Sequence, residues 1–162
     1  MVIISPSAKI SKHADIEASV KGTKIIIGNH AFIDSFVKIK PAGGSGDIFI
    51  GNKCYINSGT VIYSGNGVFL GEGVMIAANC TIAPVNHGYL KKNIPILEQG
   101  FLESKGGIHI DDDVWIGANC IVLDGAKIGK GVVVGAGSVV RGSLQPYGVY
   151  AGNPAKKIGA RF

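Results

Sequence analysis

Along residues 110–140 a large aliphatic side chain returns at every sixth position: Ile110, Ile116, Val122, Ile128, Val134 and Val140. A mostly smaller residue stands two places before each of the later five, at Val114, Cys120, Ala126, Val132 and Ser138. A period of six fits neither a helix, at about 3.6, nor a flat strand, at about 2. It fits one short strand plus one corner, repeated. Three such units close a triangular coil in which the aliphatic points inward and the small residue sits where walls crowd, as in the hexapeptide form of a parallel β-helix.

The same pattern, with interruptions, covers the rest of the chain. Ile4, Ile10 and Ile16 predict a first coil with Ala8 and Ala14 as small partners. A shift of register over Lys21 to Ile26 leads to Ile27, Ile33 and Ile39, and a Gly-rich bulge, Ala42-Gly43-Gly44-Ser45-Gly46, leads to Ile50, Ile56 and Ile62. After Ser64-Gly65-Asn66-Gly67 the repeat resumes at Leu70, Ile76 and Ile82, then lapses until Ile110. The expectation is a single all-β domain over residues 1–162, with about six triangular coils and a protruding loop at about 83–109. Open solenoid ends need caps. A cap is expected at about 146–162, where Asn153 reads as an N-cap and Pro154 as the first position of a short helix running to about Gly159.

Composition narrows this picture. Twenty-five Gly fit many tight corners, and a net charge of +5 spread along the chain is a weak footprint for nucleic acid, so no nucleic-acid partner is expected. Cys54, Cys80 and Cys120 each precede a repeat aliphatic by two places and show no CxxC spacing, which reads as small core residues rather than a metal knuckle or redox dithiol. Met1 to Pro6 lack the charged start and apolar run of a signal peptide, and no apolar run reaches membrane-spanning length. A cytoplasmic address without a membrane span is the expectation.

A narrow prism filled by its own Ile and Val leaves no interior pocket, so chemistry belongs on an outer face or between copies. The lapse in the repeat draws attention for that reason. Residues 85–102 carry Val85, Tyr89, Leu90, Ile94, Ile96, Leu97, Phe101 and Leu102, too apolar for a solvated loop, and a neighbouring subunit is the simplest surface to receive them. Asn86-His87-Gly88 opens this loop. His13, His30 and His109 occupy solvent-facing repeat positions, which leaves His87 as the candidate for chemistry.

The hexads, the Asn86-His87-Gly88 turn with its loop, the block Asp113-Val114-Trp115-Ile116-Gly117-Ala118-Asn119, the segments Ile128-Gly129-Lys130-Gly131 and Gly135-Ala136-Gly137-Ser138-Val139-Val140, and the ending Tyr150-Ala151-Gly152-Asn153-Pro154-Ala155-Lys156 together resemble the hexapeptide-repeat acyltransferases. The likeness is to the branch with galactoside, maltose, xenobiotic and surface-polysaccharide O-acetyltransferases. It implies a left-handed β-helix, although parallel crossovers are normally right-handed. It further implies a homotrimer with acetyl-CoA as co-substrate in the clefts between prisms, and no metal.

By this resemblance His87 is the general base for an acceptor hydroxyl, and the Ala118 backbone N–H stabilises the oxyanion. An ordinary imidazole, with a pKa near about 6.5, suits that task at neutral pH. Trp115, Gly135 and Ala136 line the CoA channel, though Trp115 also reads as an outer-wall seal and the glycines as tight corners. Arg141, Lys156, Lys157 and Arg161 are candidates for the CoA phosphates; relatives often carry Thr-Lys where this chain has Arg141-Gly142. On the acceptor side, Asn57 matches a sugar-facing position and Asn86 could orient His87, while both also read as corner residues.

The implied function is transfer of an acetyl group to a sugar hydroxyl of a bacterial surface polysaccharide or its precursor. N-acetylation of a nucleotide-linked amino sugar uses the same histidine and cleft, and a non-catalytic trimeric scaffold is the bland alternative. A γ-type carbonic anhydrase needs three histidines at matched heights, which the spacing of His13, His30, His87 and His109 does not supply.

Overall fold

The computed structural model describes residues 1–162 and resolves the repeat into 20 short strands on three parallel walls, with one further strand at the C-terminus. Wall 1 stacks Val2–Ile4, Ile25–Ile27, Ile48–Ile50, Val68–Leu70, Ile108–Ile110, Lys127–Ile128 and Ser143–Leu144. Wall 2 stacks Lys9–Ile10, Phe32–Ile33, Tyr55–Ile56, Met75–Ile76, Trp115–Ile116, Val133–Val134 and Gly148–Ala151. Wall 3 stacks Asp15–Ile16, Lys38–Lys40, Val61–Tyr63, Thr81–Ala83, Ile121–Leu123 and Val139–Val140. Six coils are complete and a seventh has two strands, so at about 4.8 Å per strand the prism rises roughly 30 Å.

Register follows the aliphatics. Ile27 pairs with Ile4, Ile50 with Ile27, Leu70 with Ile50, Ile110 with Leu70 and Ile128 with Ile110. These side chains stack into one core of 30 buried residues, to which β-branched Ile and Val suit the short pleated strands. Ile4, Ile10 and Ile16 depart from the expectation: Ile4 is 41% exposed, and Ile10 and Ile16 are half-buried, because no coil lies beneath the first.

The corners divide two tasks between different positions. Gly117 directly after Ile116 is needed for space, since a Cβ there would sit 2.6 Å from Ala136 N. The left-handed backbone falls two residues later, at Asn119 (φ 58°) and in the next coil at Gly137 (φ 72°). Asn79, Asp113 and Asn119 reach this region at modest cost, while His30, Phe36, Lys53 and Tyr147 hold it as well.

The expected C-terminal helix is absent. Residues 152–155 turn, through a cis Asn153–Pro154 peptide, and Lys156–Ala160 returns as a strand antiparallel to Gly148–Ala151. One turn of helix is marginal by itself, whereas a returning strand satisfies the open backbone edge of wall 2. No helix is long and apolar enough to cross a membrane. Residues 84–107 form the excursion between walls 3 and 1, with a single 3-10 turn at Ile96–Glu98.

Candidate functional site

The excursion begins as a small antiparallel hairpin. Gly88 N–H donates to Gly100 O at 2.8 Å, Leu102 N–H donates to Asn86 O at 2.8 Å, and His87 bridges Phe101 between them. The tip is held by Gln99, whose amide accepts from Lys91 N–H and donates to Lys91 O and Ile94 O. His87 is exposed, and its ring leans on that of Phe101 at 4.8 Å between centroids. No side chain hydrogen-bonds the imidazole, and Asn86 meets the hairpin through its backbone carbonyl. The expected orienting role of Asn86 has no hydrogen bond behind it in this protomer.

A pocket of about 300 Å³ opens beside the imidazole, walled by Ala42, Gly43, Tyr63, Ala83, Val85 and Phe101. It lies where wall 3 turns toward wall 1, and Val85 packs over Gly43 of the Gly-rich bulge. From the sequence Phe101 stands only among the apolar residues of the loop, and Tyr63 is not singled out. Tyr63 reads there as one more outward strand residue, and only the fold brings it level with His87.

Trp115, Ala118, Gly135, Ala136 and Asn57 gather at the opposite edge of wall 3, where it meets wall 2. Trp115 stands on wall 2 between Met75 and Val133 and is 51% exposed. The amide of Ala118 donates to no protein acceptor, and the corner amides of Ser58, Ala78 and Ala136 share that freedom. The corner geometry thus supplies a column of uncommitted N–H donors one coil apart. Gly135 is differently engaged: its N–H donates to Tyr150 O, and its carbonyl accepts from Ser138 Oγ at 2.6 Å. Asn57 Nδ2 donates to Ile76 O at 2.8 Å, leaving its side-chain oxygen available.

The basic residues do not form one cluster. Lys156 pairs opposite Ala151 and Lys157 opposite Tyr150, both exposed, and the turn before them is tied to wall 3 by Ala155 N–H to Val139 O at 2.9 Å. Lys156 therefore caps the edge that carries Ala118 and Ala136. Arg141 lies on the other edge, where wall 3 turns toward wall 1, as His87 does. Arg161 is committed elsewhere: its guanidinium donates to Asp113 Oδ2 at 2.8 Å and Gly131 O at 3.0 Å, on the edge between walls 1 and 2. It leaves the set of phosphate candidates.

Within one protomer, then, His87 with its pocket and a column of backbone N–H groups with Lys156 and Lys157 flank wall 3 from opposite sides. Outside these edges lies a third, between walls 1 and 2, bearing the ion pairs Lys53–Glu72 and Arg161–Asp113.

Residues 107–142 match the family described as bacterial transferase hexapeptide (six repeats). A Mycobacterium tuberculosis protein provisionally named an acetyltransferase is 31% identical over 149 residues, which are 92% of this chain and 48% of that protein. The Escherichia coli protein WbbJ, provisionally named a lipopolysaccharide biosynthesis O-acetyl transferase, is 41% identical over 123 residues, 72% of this chain and 62% of its own length. This chain spans from about half to under two thirds of those two relatives. Among solved structures, a variant of the N-acyltransferase AntD of Bacillus cereus, in complex with dTDP-4-amino-4,6-dideoxyglucose and coenzyme A, superposes with a TM-score of 0.82 at 29% identity, covering 99% of this chain and 84% of that one. A hexapeptide-repeat acetyltransferase of Vibrio cholerae complexed with acetyl coenzyme A gives 0.71 at 26% identity, covering 83% and 69%. These are left-handed β-helices, the hand expected here.

Proposed function

This chain is a hexapeptide-repeat β-helix of the acyltransferase kind, and from that premise we propose that it is an acetyl-CoA-dependent O-acetyltransferase acting on a sugar hydroxyl of a bacterial surface polysaccharide or its precursor. The working unit is a homotrimer of single-domain chains, cytoplasmic, with one active site in each seam. A reducing compartment suits its three free thiols.

The observation that carries this reading is the division of the candidate residues between the two edges of wall 3. A ring of copies with parallel prism axes sets the His87 edge of one against the Ala118 edge of the next. The edge with Ser58, Ala78, Ala118 and Ala136 is small and uncharged, as close approach requires, and the edge between walls 1 and 2 stays outward. The excursion also needs a cover: Leu97 is 90% exposed, and Tyr89, Leu90 and Ile96 are exposed beside it.

In such a seam His87 takes the proton from the acceptor hydroxyl as its oxygen attacks the thioester carbonyl. The oxyanion that forms is met by the Ala118 N–H of the adjoining copy, a donor fixed in place before reaction. As the carbon–sulfur bond breaks, the imidazolium returns its proton to the leaving thiolate. Trp115, Gly135 and Ala136 line the pantetheine path, and Lys156 and Lys157, with Arg141 from the facing edge, meet the phosphates. Asn57 and Asn86 contact the acceptor.

N-acylation of a nucleotide-linked amino sugar is the second reading, favoured by the AntD likeness across 99% of the chain. A thiol-release assay with acetyl-CoA over free sugars, nucleotide sugars and oligosaccharides tests both. Alkaline hydroxylamine strips the product label from an ester and leaves it on an amide. Absence of release with every acceptor would favour the scaffold.

A further inference from the structure

Every hydrogen bond made by residues 86–104 stays within the excursion, so the hairpin bearing His87 has no polar tether to the prism along its length. Its position is set at its two feet. The outgoing foot is fixed where Asn66 N–H donates to Pro84 O at 3.0 Å. The returning foot is fixed by Asp124, whose carboxylate accepts Lys105 N–H at 2.8 Å and Gly107 N–H at 2.9 Å. The same carboxylate accepts Asn66 Nδ2–H at 3.1 Å, which joins one foot to the other. Asp124 is buried to 5% exposure, so all three donors meet it largely out of water.

A carboxylate so enclosed is costly unless its oxygens are matched with donors, and here both are. For packing alone a small apolar residue would fill this corner as Ala126 does two places on. The arrangement is instead suited to gripping backbone that has no side chain of its own to anchor it, since the returning foot ends in Gly106-Gly107.

We propose that Asp124 and Asn66 are positioning residues: a clasp at the base of the excursion that sets the height and tilt at which His87 reaches the seam. This rests on the reading of His87 as the base. The clasp touches neither acetyl-CoA nor the acceptor, and it acts through the imidazole. Displacement of a reacting group by about 1 Å can cost on the order of 100-fold in rate.

The test uses the full chain with Asp124→Ala, and Asp124→Asn as the milder variant that keeps one carbonyl acceptor. The expected result is a 10- to 100-fold fall in kcat with Asp124→Ala, a smaller fall with Asp124→Asn, and an acetyl-CoA KM within about twofold of wild type. Added to His87→Ala, Asp124→Ala should remove nothing further, because residues acting as one unit are not additive. Hydrogen exchange should quicken at Lys105 and Gly107 and across 86–104 while the coils keep their protection. Unchanged kcat, a parallel rise in acetyl-CoA KM, or an equal further loss in the His87→Ala background would overturn the proposal. Full activity of His87→Ala would instead remove the base assignment, leaving the exchange data to decide whether the clasp holds the hairpin.

Discussion

The imidazole of His87 rests on the ring of Phe101, 4.8 Å between centroids and tilted by 44°, and that contact, rather than a hydrogen bond, fixes its direction. Phe101→Ala should therefore lower kcat by about tenfold or more with little change in acetyl-CoA binding, and Phe101→Tyr should retain most of it, since an aromatic platform is kept. Steady-state kinetics beside calorimetric titration of acetyl-CoA separate the two effects. Equal losses in both variants would mean that shape, and not the ring, matters.

Removal of the proposed base is a larger change. His87→Ala should cost roughly 10²- to 10⁴-fold in turnover while the trimer still assembles and binds acetyl-CoA. Thiol release, with sedimentation on the same sample, reads both. Retained turnover would take the proton-transfer role away from this residue.

The core makes a graded prediction about stability. Ile82 is fully buried in the fourth coil, whereas Ile4 at the open end is 41% exposed. Ile82→Ala should destabilise by about 2–5 kcal/mol and Ile4→Ala by under about 1 kcal/mol, as denaturant midpoints at constant m would show. Equal costs would mean that something covers the first coil in solution.

The Cys54 thiol should be inert in the folded state. Burial pushes Cys54 up to about 11, partly offset by backbone N–H donors nearby. With the folded value raised above the ordinary one, the thiol stays protonated through neutral pH, and only as pH climbs toward the folded value does ionisation begin to oppose folding. Maleimide at pH 8 should label Cys54 only after denaturant is added; rapid labelling of native protein would contradict the burial.

Much of this architecture was legible because inward Ile and Val recur wherever a strand crosses the core, and burial leaves little choice at those positions. Ile110 through Val140 all fall where their period places them. Local rules misled at the C-terminus, where Asn153-Pro154 carries a helix-start signal but the open edge of wall 2 offers better backbone partners. His87 stands out in the sequence because it breaks the repeat. The roles of Tyr63, Phe101 and Asp124 could not be read there, since each acts only through a neighbour distant in sequence: Tyr63 and Phe101 face His87 across the excursion, and Asp124 grips Lys105 and Asn66. The separation of His87 from Ala118 is likewise invisible until three walls exist.

The central claim is that each active site takes its base from one copy and its oxyanion donor from the next. Ala118→Pro deletes that donor at a corner where Asn119 is left-handed, the turn position at which a preceding proline is well tolerated. The measurement is thiol release from trimers reassembled from equal parts of His87→Ala and Ala118→Pro chains. Each parent alone should be nearly inactive, and random mixing should restore about a quarter of wild-type turnover, because one seam in four pairs an intact His87 with an intact Ala118 in a closed ring. Mixed trimers no more active than their parents would place both groups within a single protomer and contradict the account.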